Sequence, residues 1–227
     1  MKVFLVFILL TAQIPLFGQM RLGLDFDMYK PQNRFADNVA EMPLGIAING
    51  IYRIPESRFS LGGDIGVAMY ANKTYDYDLA EEGSPGEITR IDEEDCFLHV
   101  NAIGRYQLYE TELVATYAQF QTGIYTFFSS RVSKDDHRLY DDDTEFHGTS
   151  FVTGLGGGVS LNLTHLFGGE GNLNPVFLDF NSSYNTGTRA SYRNMGNEDQ
   201  TVSGLDSGKY RSMVNNINFK VGVSIQL

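Results

Sequence analysis

The chain has no tryptophan, one cysteine and a shortage of positive charge, with 17 Lys and Arg against 28 Asp and Glu. The lone thiol, Cys96, has no intramolecular partner, so no disulfide framework holds the fold. A formal charge of −11 excludes nucleic-acid binding, which depends on clustered Lys and Arg to neutralise phosphates. Beyond the first residues there is no apolar run near the ~20 residues a membrane helix needs, so any insertion into a bilayer must use strands. Without tryptophan, an interfacial aromatic belt must be built from tyrosine and phenylalanine.

The chain opens with MKVFLVFILLTAQIPLFGQ: a lysine, an unbroken apolar run from Val3 to Leu10, and a small residue, Gly18. This is the pattern of a cleaved secretory signal peptide over 1–19, with the cut expected after Gly18 or Gln19. Residues 20–227 then form one domain. A disulfide-free exported chain is consistent with a bacterial envelope.

Apolar residues recur at every second position in eight places, the period of a strand and not of a helix. The first half supplies Leu22, Leu24, Phe26, Met28; Leu44, Ile46, Ile48, Tyr52; Phe59, Leu61, Ile65, Val67, Met69; and Leu98, Val100, Ala102, Tyr106, Leu108. The second half supplies Ala118, Phe120, Ile124, Phe128; Phe151, Leu155, Val159, Leu161, Leu163; Val176, Leu178, Phe180, Tyr184; and Ile217, Phe219, Val221, Val223, Ile225, Leu227. Strand four is irregular, because Phe97, Ile103 and Tyr109 fall on its other side. Almost no helix is expected.

The links between these strands alternate. Lys30 to Pro43, Asn72 to Asp95, Ser130 to Ser150 and Thr186 to Asn215 are long, whereas Pro55 to Arg58 and Glu110 to Val114 are tight turns and Thr164 to Pro175 is intermediate. Compact domains seldom carry so many long loops. Placed at one end, they fit an all-β fold: an eight-stranded antiparallel up-and-down transmembrane β-barrel with four long extracellular loops.

The second face of the strands has the composition of a filled lumen. Gly62, Asp64, Gly66 and Ala68 line it in strand three, and Gly154, Gly156, Gly158 and Ser160 in strand six. An eight-stranded barrel is just wide enough for side chains, so small residues must make room for large ones. The charges on this face are few and mixed: Arg21, Asp25, Asp27, Arg53, Asp64, Arg105, Asp179 and Lys220. Burial makes pairing obligatory, so these eight are expected to form a lumen ion-pair network, with Lys220 meeting Asp25 or Asp27. A polar lumen argues against a lipocalin-like binder, and eight strands against a diffusion pore. Tyr52, Tyr106 and Tyr117 near the short turns, with Phe128 and Tyr184 near the long loops, are the candidate girdle.

On these residues the chain resembles the small eight-stranded outer-membrane β-barrels of Gram-negative bacteria, such as the OmpA transmembrane domain and OmpX. The resemblance covers Arg21 to Leu227 and rests on architecture. It implies a bacterial outer-membrane location, a lipid bilayer and lipopolysaccharide as surroundings, and possible protein partners through the extracellular loops. It also implies that the last strand is the signal read by the barrel-assembly machinery, carried by Phe219, Val221, Val223, Ile225 and Leu227. Members usually end on an aromatic residue, and this chain ends on Leu227.

Three constellations invite a chemical reading. GLGGGVS lacks the Lys-Ser/Thr ending of a phosphate loop and precedes no expected helix, so it is read as lumen lining. The stretches DYDLAEEG, IDEEDC and KDDHRLYDDDTEFHG are dense in carboxylates that suit divalent cations, but their spacing matches no EF-hand and fits a solvated charge run. The fourth loop, with Arg189, Arg193, Lys209 and Arg211, leans basic and is suited to pairing with them. Of the four histidines, His99, His137, His147 and His165, the one weighed as a general base is His147, in His147-Gly148-Thr149-Ser150 with Asp141 to Asp143 close in sequence. The reading is therefore no catalysis and no cofactor: a surface-exposed structural or interaction protein. The alternatives are an accessory subunit of a larger secretion or uptake complex and, more weakly, a lipid-modifying enzyme.

Overall fold

The computed structural model describes residues 20–39, 42–78, 88–133, 143–167, 174–193 and 209–227. The expected signal peptide and its cut, His137 and much of the acidic stretches lie outside the described residues. Eight strands close into an antiparallel barrel: β1 (Met20–Gln32), β2 (Leu44–Arg53), β3 (Phe59–Asp78), β4 (Ile88–Glu110), β5 (Val114–Ser133), β6 (Asp143–Asn162), β7 (Val176–Gly187) and β10 (Asn215–Gln226). Each pairs with its sequence neighbours, and β10 closes on β1 with Leu24 opposite Val223 and Asp27 opposite Lys220. Closure removes the unpaired edge that a terminal strand would otherwise present.

The barrel is inside-out relative to a water-soluble domain. Leu24, Ile48 and Leu155 point outward with 60, 62 and 69 % of their surface exposed. Asp27 and His99 point inward and are fully buried. The outward apolar set of β3 runs from Phe59 to Met69, roughly 11 residues, which at ~3.3 Å each and a tilt near 40° spans about 25–28 Å. That matches the apolar band of a membrane barrel. Among the described residues no helix is long and apolar enough to cross a membrane, a fact that bears only on helical crossing.

Small residues in the lumen do what their size suggested. A Cβ at Gly66 would lie 2.6 Å from both Ala47 Cβ and His99 Cε1, and one at Gly158 would lie 2.6 Å from Tyr117 Cζ. Glycine at these positions is the space into which His99 and Tyr117 are packed. At the short-turn end, Val114 N donates to Thr111 Oγ1 at 3.0 Å and Phe59 N to Ser57 Oγ at 2.9 Å, closing the two tight turns.

Several expectations need correction. The strands run past the loop boundaries read from alternation: β3 and β4 continue to Asp78 and from Ile88, and β5 and β6 to Ser133 and from Asp143. Regular alternation of apolar residues ends there, while backbone pairing continues. Among the described residues two short helices occur, α1 (Arg34–Asn38) and α2 (Leu163–Leu166), so Leu163 belongs to a helical turn and not to β6. The fourth loop contains its own hairpin, β8 (Arg189–Arg193) with β9 (Lys209–Met213). Tyr117, assigned to the outer girdle, is 4 % exposed and faces the lumen.

The irregularity of strand four also has a cause. Phe97 and Ile103 are buried inside the barrel. A register shift between Gln107 and Tyr109 then turns Tyr109 outward, as a β-bulge does.

Candidate functional site

The lumen has three tiers. The middle tier is built from inward positions of β1, β2, β3, β4 and β10. Lys220 Nζ donates to Asp64 Oδ2 at 2.6 Å and lies 3.4 Å from Asp27 Oδ1. Its nearest carboxylate is thus across the lumen on β3, not on the adjacent β1. Asn101 Nδ2 donates to Asp64 Oδ1 at 2.8 Å, and Asn49 Nδ2 to Asp25 Oδ2 at 2.8 Å. His99 Nε2 stands 3.6 Å from both Asp27 Oδ2 and Asp64 Oδ1, while its Nδ1 lies 3.2 Å from the Tyr29 hydroxyl. Removing such ions from water costs several kcal/mol each, roughly, so the tier depends on these partners. His99, Asn49 and Asn101 were not singled out from the sequence, although their odd-numbered positions on β2 and β4 share the lumen face.

The remaining charges expected in the network sit elsewhere. Arg53 forms a fork with Glu110 at the rim, Nη1 to Oε1 2.5 Å and Nη2 to Oε2 2.7 Å. Asp179 accepts from Ser224 Oγ at 2.5 Å. Arg21 donates to Ser160 Oγ at 3.1 Å and Arg105 Nε to Gln119 Oε1 at 2.8 Å, and neither makes an ion pair among the described residues.

The tier at the loop end is aromatic, which corrects the expectation of a lumen that is polar throughout. Tyr29, Tyr70, Phe97, Tyr125 and Phe127 are buried there, capped by Phe35 from α1 and Tyr192 from β8. Phe97 stacks on Tyr125 at 5.2 Å between centroids, and Phe35 meets Tyr192 edge-on at 5.2 Å. The Tyr192 hydroxyl accepts from Asn38 Nδ2 at 2.9 Å and lies 2.6 Å from Ser212 Oγ, tying helix and hairpin together. Apolar character in the lumen is hidden from an alternation count, because it simply lengthens what looks like an irregular strand.

His147 does not meet Ser150. Its Nε2 lies 2.6 Å from Ser129 Oγ, Ser129 also donates to Asp95, and the His147 side chain is fully buried. Ser150 donates instead to the Thr188 carbonyl at 2.9 Å. The turn that brings His147 inward is the register shift opposite Phe127 and Phe128. A hydroxyl engaged by a carboxylate and 2 % exposed offers no open nucleophile. Among the described residues no group of three or more His, Cys, Asp or Glu is arranged to hold a metal ion.

No family model and no curated protein matches the chain. Among solved structures it is similar to Neisserial surface protein A, with 15 % identity and a TM-score of 0.49 over 92 % of this chain and 97 % of that one. It is similar to Ail, the attachment invasion locus protein of Yersinia pestis, solved with the heparin analogue sucrose octasulfate: 13 % identity and a TM-score of 0.41, over 92 % of this chain and 96 % of that one. It is also similar to the N-terminal β-barrel domain of Pseudomonas aeruginosa OprF, with 10 % identity and a TM-score of 0.36 over 92 and 98 % of the two chains. These likenesses carry no role over to this chain, whose own eight antiparallel strands close edge to edge.

Proposed function

We propose that this chain is a non-enzymatic barrel of the bacterial outer membrane that acts at the cell surface through its loop end, with both termini on the periplasmic side. The observation that carries this reading is a lumen blocked at its middle and at its loop end. A charged tier and an aromatic tier occupy the interior, so what the barrel offers to partners is its outer rim and not a channel. β3 to β6 are 20 to 23 residues long, against 10 to 13 for β1, β2, β7 and β10, and they lift that rim well above the apolar band.

An accessory role in a larger assembly is favoured by one feature. Beyond Met69, where pairing with β2 ends, β3 pairs with β4 alone among the described strands. The backbone of Ala71 to Asp78 therefore presents one sheet edge, a surface suited to strand addition by a partner. Purification from membranes in mild detergent separates the two readings. Elution as a lone barrel supports an independent surface role, and stoichiometric co-elution of another protein supports the accessory one. A change in lipid A composition caused by His147→Ala or Ser129→Ala would overturn the non-enzymatic reading.

A further inference from the structure

The tier of the lumen at the short-turn end is open and holds a cavity of about 340 Å³. Its walls include three arginines, Arg21, Arg53 and Arg105, against Glu56 and Glu110. This is a local reversal of charge in a chain where acids outnumber bases by 28 to 17. Arg53 and Glu110 neutralise one another in a two-bond fork. Arg21 and Arg105 are different, because each uses a single N–H on a neutral acceptor, Ser160 and Gln119.

Both guanidinium groups are held in place by aromatic faces. Arg21 Cζ lies 3.5 Å from the centroid of the Phe177 ring and Arg105 Cζ lies 4.3 Å from that of Tyr117. Stacking fixes the plane of a guanidinium while leaving its edge available, and that edge is a rigid fork of donors matched to tetrahedral and planar oxyanions. Asp179, the nearest candidate counter-ion on β7, is engaged by the Ser224 hydroxyl and makes no ion pair with Arg21 among the described residues. The result is two pre-oriented cationic donor sets lining one cavity, neither of them ion-paired among the described residues.

We propose that this vestibule binds a soluble phosphate-class oxyanion, held between the guanidinium edges of Arg21 and Arg105. The cavity lies inside the barrel wall, whereas lipid headgroups stand outside it, so the ligand reaches the site from the aqueous compartment at the short-turn end. Recognition is by charge and bidentate geometry, so phosphate binds in preference to chloride at equal ionic strength. In an otherwise acidic protein, such a site would tether the short-turn mouth to a phosphorylated solute or polymer end.

The test uses the full mature chain folded in a neutral maltoside detergent, with the arginine Nε–Hε resonances followed by NMR during titration with inorganic phosphate. Two of these resonances should shift saturably and disappear one each in Arg21→Gln and Arg105→Gln. Each substitution should weaken binding at least tenfold, and Arg189→Gln, exposed on the hairpin at the opposite end, should leave binding unchanged. Arg105→Lys, which keeps charge but loses the fork, should also weaken it. Equal shifts with chloride, or phosphate shifts that persist in both glutamine variants, would overturn the proposal. So would a response to a short-chain phosphatidic acid with none to inorganic phosphate, since that would place the ligand in the lipid. Retained heat-modifiable mobility of each variant confirms that the barrel has folded.

Discussion

Replacing Lys220 by methionine removes the cation that pairs with Asp27 and Asp64 and leaves these two carboxylates, both with fully buried side chains, without it. At separations of 2.6 and 3.4 Å and an effective dielectric constant near 20, the two lost attractions are about 6 and about 5 kcal/mol before desolvation. Most of that gross attraction offsets the cost of burying the lysine itself. Breaking a buried pair from one side has a net cost of about 3–5 kcal/mol, because the orphaned charge stays behind. With a urea slope of ~2–3 kcal/mol/M, the unfolding midpoint should fall by about 1–2 M. Far-UV circular dichroism is the suitable probe, since the chain has no tryptophan. The decisive comparison adds Asp64→Asn to Lys220→Met: the double variant should be more stable than Lys220→Met alone, because it removes one of the stranded carboxylates. A Lys220→Met midpoint indistinguishable from that of the parent, or a double variant that loses the sum of the two single losses, would refute the assigned geometry.

Other consequences follow from packing and from the outer face. Gly158→Val should destabilise the barrel by about 1–3 kcal/mol through overpacking against Tyr117, whereas Gly50→Ala, whose added Cβ would lie 3.5 Å from Leu22 Cδ2, should be tolerated; urea midpoints report both. Leu155→Arg, near the middle of the apolar band, should cost about 2–4 kcal/mol of folding in lipid, and Phe146→Arg, towards the loop end of the same strand, about 0–1 kcal/mol. Vesicle refolding yields resolve that difference. Tyr192→Ala removes a buried ring lying edge-on to Phe35 and should cost about 3–5 kcal/mol, read as loss of protease resistance in β8 and β9 before the barrel itself unfolds.

The barrel was legible in the sequence because its outer face is monotonous. Leu22 to Met28 and Ile217 to Leu227 alternate without interruption, and the rule that links short turns and long loops in turn then dictates topology. The interior was legible only where it is small or charged: Gly66, Gly158, Asp64 and Lys220 carry composition signals. Phe97, Tyr125 and Phe127 do not, because an inward aromatic beside an outward aliphatic erases the alternation that identifies a strand. Cross-lumen partners were beyond reach for a geometric reason. Strand neighbours follow from sequence order, but which of Asp25, Asp27 or Asp64 lies closest to Lys220 depends on barrel tilt and stagger. The Ser129–His147 contact rests on a register shift that no local residue announces.

The seam between β1 and β10 tests the closed barrel most directly. In a Cys96→Ser background, Leu24→Cys and Val223→Cys place two thiols at directly opposed positions on the first and last strands. Oxidation in isolated membranes should yield an intramolecular disulfide in a monomer that keeps heat-modifiable mobility. Absence of the cross-link, or a cross-link only between two chains, would contradict the closed barrel.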